Sequence, residues 1–293
     1  MTHRDPIPGL PGPLVSTAWL ADRLGDPRLV VVDASWYLAT AGRDAKAEYH
    51  AGHIPGARFF DIDALSDQAT PLPHMLPPAE FFEATVGALG VGDADTIVVY
   101  DGSGTNQSAP RAWWMFRVFG HDRVAVLDGG LGKWKAEGRP LETEHPLPSP
   151  ARFTARYRGD WVWSLDQVQA NLATHQVQLV DARVAPRFEG SQPEPRPGLR
   201  SGHIPGSRNL PWSDLVGPDG TLLPRDRLRQ RLRDAGVDPG RPVVASCGSG
   251  VTACAILLAL EALDLRDYRL YDGSWTEWGG RDDTPVETGP TAG

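Results

Sequence analysis

The sequence predicts an α/β protein made of two tandem domains, each a mostly parallel sheet flanked by helices. Two observations lead there. First, the chain repeats itself once in unchanged order: the run 29–34 is echoed at 177–182, Gly-His-Ile-Pro-Gly at 52–56 returns at 202–206, 97–103 aligns with 243–249, and Asp128-Gly129-Gly130 with Trp134 matches Asp272-Gly273-Ser274 with Trp278. The offsets of 148, 150, 146 and 144 residues are too long for a solenoid and denote a duplicated domain. Second, each half alternates short β-branched apolar runs with helical patterns. That alternation marks a parallel sheet covered by helices.

Taken in order, the first half reads as helix 16–24, strand 29–33, helix 78–89, strand 97–101, helix 109–119 and strand 124–127. The second half reads as helix 164–173, strand 177–181, helix 225–235, strand 242–246, helix 251–263 and strand 268–271. Strands are assigned where Val, Ile and Leu run continuously, helices where apolar residues recur at helical spacing. Residues 138–160 carry prolines at 140, 146, 148 and 150 with few periodic apolar positions, and so read as a connector. The expected division is a first domain over 1–140, a linker over 141–160 and a second domain over 161–293.

With 29 basic against 37 acidic side chains the net charge is −8, which argues against nucleic acid or an anionic membrane as partner. Apolar residues at 41% and charged residues at 23% are globular values and exclude wholesale disorder. Two cysteines, Cys247 and Cys254, make neither a disulfide framework nor a four-cysteine zinc site. Residues 1–16 are rich in Pro and Gly, without an apolar signal core, and the most apolar stretch, 253–263, is short and contains Glu261. A cytoplasmic soluble protein with reduced thiols is expected.

Chemistry concentrates at 242–255, where a buried strand ends, a short Gly-bearing loop follows and an apolar helix begins. Glycines there let successive backbone N–H groups turn inward and form a nest for an anion. Cys247 opens that loop, facing the donors and the positive end of the helix, and both favour a thiolate. Cys247 is therefore the expected nucleophile, and Cys254, among Ala, Ile and Leu, a core residue. The run 248–253 also fits the dinucleotide fingerprint G-x-G-x-x-A, with Asp272 some twenty residues on. Only 21 residues follow Asp272, too few to complete a dinucleotide fold. A cysteine phosphatase would need an arginine at 253 to hold phosphoryl oxygens, and that residue is alanine. His50 and His53 suggest a metal pair, but nothing completes it, so no metal is assigned.

The duplication, the paired Gly-His-Ile-Pro-Gly motifs and a cysteine loop in the second half alone resemble the rhodanese sulfurtransferases, from about residue 14 to 280. The resemblance implies two rhodanese-like domains. The first is silent because Asp101 stands where the cysteine belongs. The loop Cys247-Gly248-Ser249-Gly250-Val251-Thr252 resembles that of family members acting on 3-mercaptopyruvate. Members acting on thiosulfate carry basic residues just after the cysteine, suited to a doubly charged anion, whereas Gly248 and Ser249 are neutral.

The same resemblance implies the remaining site residues. Asp61-Ile62-Asp63 and Pro73-His74-Met75-Leu76-Pro77 are similar to the first-domain segment supplying an Asp and a His. Asp63, His74 and Ser249 would then relay a proton. The segments around Arg187 and Arg196 resemble the pair of arginines that clamp the substrate carboxylate, a task suited to a planar guanidinium. Gly248, Gly250, Val251 and Thr252 would bind substrate through loop amides. The implied reaction takes sulfur from 3-mercaptopyruvate onto a Cys247 persulfide and passes it to thioredoxin, a small dithiol or cyanide, without organic cofactor or metal. Thiosulfate as donor, or a persulfide carrier with little turnover, are the alternatives. A monomer is expected, since one chain supplies both domains. His53 and His203 occur in both halves although only one has a cysteine, so they read as structural. Trp113, Trp114, Trp275 and Trp278 read as core.

Overall fold

The structure, a computed structural model, describes residues 9–144 and 148–290; the readings of residues 1–8 and of Pro146 lie outside the described residues. The chain forms two compact units. Unit 1 takes residues up to Leu65, Pro77–Arg158 and Pro218–Thr221, and unit 2 takes Ser66–Leu76, Gly159–Gly217 and the chain from Leu222 on. Each unit therefore incorporates one short segment from the opposite half of the sequence.

Unit 1 contains β1 (Leu14–Val15), α1 (Thr17–Ala21), β2 (Leu29–Asp33), α2 (Ala45–Ala51), β3 (Arg58–Phe59), α3 (Ala79–Ala88), β4 (Thr96–Tyr100), α4 (Ala109–Val118), β5 (Val124–Leu127) and α5 (Gly130–Ala136). Its sheet has the order β1-β5-β4-β2-β3, with every pair parallel. Unit 2 contains β6 (Val162–Trp163), α6 (Leu165–Thr174), β7 (Gln178–Asp181), α7 (Ala185–Phe188), β8 (Arg208–Asn209), α8 (Arg225–Asp234), β9 (Val243–Ser246), α9 (Ala253–Ala262), β10 (Tyr268–Tyr271) and α10 (Ser274–Trp278). Its order, β6-β10-β9-β7-β8, is the same topology, again all parallel. Two five-stranded parallel sheets flanked by helices make an α/β protein.

The local sequence explains the central elements. The strands LVVVD, TIVVY and VAVL of unit 1 are apolar along their central residues and buried along nearly their whole length, as a parallel strand covered on both faces requires. α9 is buried over 253–261, which its run of Ala, Ile and Leu permits on every side. α6 starts at a capping box, the Ser164 side chain accepting from the Gln167 N–H while the Gln167 side chain returns to Ser164. All six expected strands and six expected helices are present with ends within three residues. The two-residue strands β1, β3, β6 and β8, and the short helices α2, α5, α7 and α10, were not anticipated. Two residues carry no period, and the neighbouring strand decides their pairing.

The expected connector is also different from a free linker. Ala151 N–H donates to the Gly87 carbonyl (2.9 Å) and Arg156 N–H to that of Phe119 (2.8 Å). Thr154 N–H donates to the Asp93 carboxylate (2.7 Å). Phe153 is buried against Phe82 and Phe116. The stretch from Pro148 to Arg158 clusters with unit 1.

The histidine pair plays one part twice. His53 Nδ1 lies 2.8 Å from the Tyr49 carbonyl and its ring stacks on Tyr49; His203 Nδ1 lies 2.9 Å from the Phe188 carbonyl and its ring stacks on Phe188. Each backbone also forms an isolated antiparallel bridge, to Glu142 and to Glu287. Trp113, Trp114, Trp275 and Trp278 are fully buried. No helix among the described residues is long and apolar enough to cross a membrane.

Candidate active site

The neighbouring parallel strands β7, β9 and β10 deliver their C-terminal ends to one edge of the unit 2 sheet, where ligands of open α/β folds bind. Asp181 ends β7, Cys247 follows β9 and Asp272 follows β10. Cys247 is 2% exposed. Its backbone N–H donates to Ser274 Oγ (3.2 Å), and the Ser274 hydroxyl donates to the Tyr271 carbonyl (2.9 Å). The carbonyls of Cys247 and Gly248 accept from the N–H groups of Trp275 (3.0 Å) and Thr276 (2.9 Å). The loop carbonyls are thus anchored by α10. The N–H groups of Gly248, Ser249, Val251 and Thr252 find no protein acceptor among the described residues. Gly250 sits at φ +77°, a left-handed conformation that glycine adopts without strain.

Unit 1 supplies an internal comparison. Asp101, the counterpart of Cys247, accepts from Ser103 N–H (2.9 Å) and the Ser103 hydroxyl with one oxygen. Its other oxygen accepts from the N–H groups of Ser108 and Ala109 (both 2.8 Å), the latter the first residue of α4. The nest at the end of β4 is filled by its own carboxylate. At the end of β9 the corresponding loop contains no acid, so the donors remain for negative charge on the cysteine sulfur or on a bound group.

Ser66–Leu76 brings His74 to this loop. His74 Nδ1 lies 2.8 Å from Ser249 Oγ, and His74 is 3% exposed. The segment is fixed by Leu76 N–H donating to Asp272 Oδ2 (2.8 Å) and Asp67 N–H donating to the Met75 carbonyl (2.8 Å). His74 adopts φ 63°, which costs a non-glycine residue about 1–2 kcal/mol and persists only where the surroundings enforce it. Asp63 belongs to unit 1, where both its carboxylate oxygens lie 3.1 Å from the Trp36 indole N–H.

Both expected arginines reach the cysteine loop. A Cβ added at Gly248 would lie 3.1 Å from Arg187 Nη2 and 4.0 Å from Arg196 Nη1; glycine after the cysteine is what lets Arg187 approach. Arg187 is held by Glu194 through Nη2–Oε2 (2.5 Å) and Nε–Oε1 (3.2 Å). Glu194 also pairs with Arg183 (2.8 Å), and Arg183 with Asp181 (2.7 Å). Burial would lower the Arg183 guanidinium, but Asp181 and Glu194 outweigh it and hold it above its ordinary value.

Unit 2 therefore brings together Cys247, Gly248, Ser249, Gly250, Val251, Thr252, His74, Arg187 and Arg196. Sequence reasoning missed Asp181, Arg183, Glu194 and Ser274. For Arg183 and Ser274 the signal lay in the differences between the halves: Ser35 stands against Arg183 at an offset of 148 and Gly130 against Ser274 at 144, as Asp101 stands against Cys247 at 146. Chemically, a thiol among backbone donors, a hydroxyl–imidazole pair and a guanidinium arm can bind an α-keto acid, accept a sulfur atom and move a proton.

Comparison with known proteins agrees. The family model described as "Rhodanese-like domain" matches residues 16–137 and 164–281. The human 3-mercaptopyruvate sulfurtransferase is 45% identical over 90% of this chain and 91% of its own. A mouse thiosulfate sulfurtransferase is 45% identical over 94% of each chain. Among solved structures, SseA from Escherichia coli, a 3-mercaptopyruvate sulfotransferase of "Rhodanese" fold by its description, superposes with a TM-score of 0.83 at 42% identity, covering 90% of this chain and 99% of its own.

Proposed function

The chain belongs to the rhodanese-like family, and from that premise we propose that it is a sulfurtransferase taking sulfur from 3-mercaptopyruvate through Cys247 and releasing pyruvate. The observation that carries this reading is the neutral pair Gly248-Ser249 after the cysteine, with the Arg187 guanidinium 3.1 Å from the position of a Gly248 Cβ. That arrangement suits one carboxylate held in a planar fork.

Arg187 and Arg196 orient the donor's carboxylate and carbonyl oxygen. The Cys247 thiolate attacks the donor sulfur, forming an S–S bond as the C–S bond breaks. The electron pair of the broken bond passes to carbon as pyruvate enolate. A proton delivered along the His74–Ser249 pair converts the enolate to pyruvate. The role of Asp63 as the carboxylate of that relay rests on the family pattern. Loop amides from Gly248 to Thr252 stabilise charge on the sulfur. A thiol acceptor, thioredoxin or a small dithiol, then attacks the outer sulfur of the persulfide and restores the thiolate. We place this activity in a cytoplasmic monomer, in keeping with the acidic composition and the thiols at Cys247 and Cys254.

Likeness to a thiosulfate sulfurtransferase makes thiosulfate the rival donor. Steady-state transfer to cyanide from each donor, with Cys247→Ser as control, separates the two. A kcat/KM for mercaptopyruvate at least tenfold above that for thiosulfate, abolished in the variant, is expected, on the order of 1.4 kcal/mol of discrimination. A preference for thiosulfate overturns the donor, and no turnover with either leaves a persulfide carrier.

A further inference from the structure

Two carbonyls of the cysteine loop are held by the start of α10. The first N–H groups of a helix have no partner within it, and those of Trp275 and Thr276 donate to the carbonyls of Cys247 (3.0 Å) and Gly248 (2.9 Å). The Gly248 carbonyl accepts a second bond, from the Thr276 hydroxyl at 2.6 Å. One half-buried residue thus holds that oxygen with both its backbone and its side chain. Unit 1 keeps the first contact and lacks the second. The repeat sets Leu131 against Trp275 and Gly132 against Thr276, both at an offset of 144. Leu131 N–H donates to the Asp101 carbonyl (3.0 Å), as Trp275 N–H does to that of Cys247. Gly132 has no hydroxyl, and the Gly102 carbonyl, counterpart of Gly248, accepts from Arg43 Nη2 (3.0 Å). The hydroxyl bond accompanies the cysteine.

We propose that Thr276 is a positioning residue for sulfur transfer, its hydroxyl fixing the Gly248–Ser249 peptide so that the Ser249 N–H is aimed at negative charge on the Cys247 sulfur. The proposal rests on the reading of the loop amides given above. In a trans peptide the N–H of one residue points opposite to the carbonyl of the residue before it. Drawing the Gly248 oxygen towards α10 therefore turns the Ser249 N–H away from α10, where no protein acceptor takes it among the described residues. Glycines stand on both sides of Ser249, and their wide conformational freedom lets the peptide plane rotate. Two bonds on one oxygen narrow that rotation more than one does. A donor fixed before charge develops needs no reorganisation when it does.

The test compares wild type with Thr276→Val, which keeps the shape and loses the hydroxyl, and Thr276→Ser, which keeps the hydroxyl and loses the methyl. In turnover of mercaptopyruvate with cyanide, Thr276→Val is expected to lose about fivefold in kcat with KM within about twofold, and Thr276→Ser to stay within about twofold in both. In alkylation of Cys247 by iodoacetamide, Thr276→Val is expected to react about threefold more slowly than wild type at pH 7 and equally fast at about pH 10, where an ordinary thiol is ionised. Arg187, Arg196, His74, Asp272 and Glu277, the charged and titratable groups around the loop and α10, are the same in every variant, so a difference reports the hydroxyl. A hydroxyl that only steadied the fold would lower the melting temperature and leave both readouts of the folded protein unchanged, which overturns the proposal. Equal loss in Thr276→Ser overturns it by assigning the effect to the methyl, and a rise in KM at constant kcat by moving Thr276 to donor binding. Equal slowing at both pH values also overturns it, since access to the sulfur would then be the cause. Should Thr276→Val not fold, Thr276→Ala replaces it with the same expectations. Alkylation uses no sulfur donor, so it decides this proposal even where neither donor turns over and the reading of the function fails.

Discussion

Asp33 and Asp181 occupy the same place at the end of equivalent strands, yet only Asp181 meets an arginine. Burial pushes the Asp33 carboxyl up to about 6, against the lowering effect of hydrogen bonds from Ser35 and Tyr100. Its folded value thus exceeds the unfolded one. Stability it contributes is complete below the ordinary value of 3.8 and is lost as pH rises through about 6. Asp33→Asn should match wild type near pH 4, pull ahead between about 4 and 6 and keep a lead of about 3 kcal/mol or less above that, as urea denaturation at several pH values would register. At Gly248 the controlling quantity is space. Gly248→Ala places a methyl 3.1 Å from Arg187 Nη2, so the guanidinium must shift. KM for mercaptopyruvate should rise roughly five- to tenfold with a smaller change in kcat; an unchanged KM would remove Arg187 from the donor site.

At the scale of elements, one strand–loop–helix unit is used twice with opposite results. After β4 the loop folds around Asp101, and after β9 a cysteine opens a shorter loop whose donors are left for an anion. Asp101→Ala should leave the N–H groups of Ser103, Ser108 and Ala109 without their acceptor and cost about 1–3 kcal/mol of stability by thermal melting. Sulfur transfer by the folded protein should change less than twofold, because the Asp101 carboxylate is taken up by Ser103, Ser108 and Ala109 of its own unit. The long strands and helices were legible because their period is carried by many residues. β3 and β8 were not, since Arg58-Phe59 and Arg208-Asn209 become strands only by pairing with β2 and β7. Cys247 and its loop could be singled out from a contiguous motif, and Arg187 and Arg196 from the family resemblance. Glu194 could not, because nothing local in Pro193-Glu194-Pro195 reveals that its carboxylate turns inward to two arginines.

For the molecule as a whole, the exchange of segments matters most. Ser66–Leu76 lies in the first half of the sequence but in unit 2 of the fold, and Pro218–Thr221 does the reverse. A fragment beginning at Gly159 keeps Cys247, Ser249 and Arg187 but lacks His74, the partner of Ser249 at 2.8 Å. Its turnover with mercaptopyruvate and cyanide should fall at least about 100-fold below that of the full chain, the usual contribution of a placed acid–base group, while Cys247 still reacts with iodoacetamide. Turnover equal to that of the full chain would show that His74 moves no proton.

The sequence by itself determined the duplication, the parallel α/β architecture and the cysteine loop on which the proposed chemistry rests. Each of these is written in local periodicity or in a contiguous motif, and chain connectivity alone preserves such information. Only the tertiary structure decided that the donors beside Asp101 are already occupied, that the proline-rich stretch is laid against unit 1, and that His74 bonds Ser249. It alone showed four alternating charges converging behind the Cys247 loop. Those outcomes depend on which side chains meet across long sequence separations, and burial in a common interior selects such pairs, because a buried charge or donor must find a partner wherever the fold brings one.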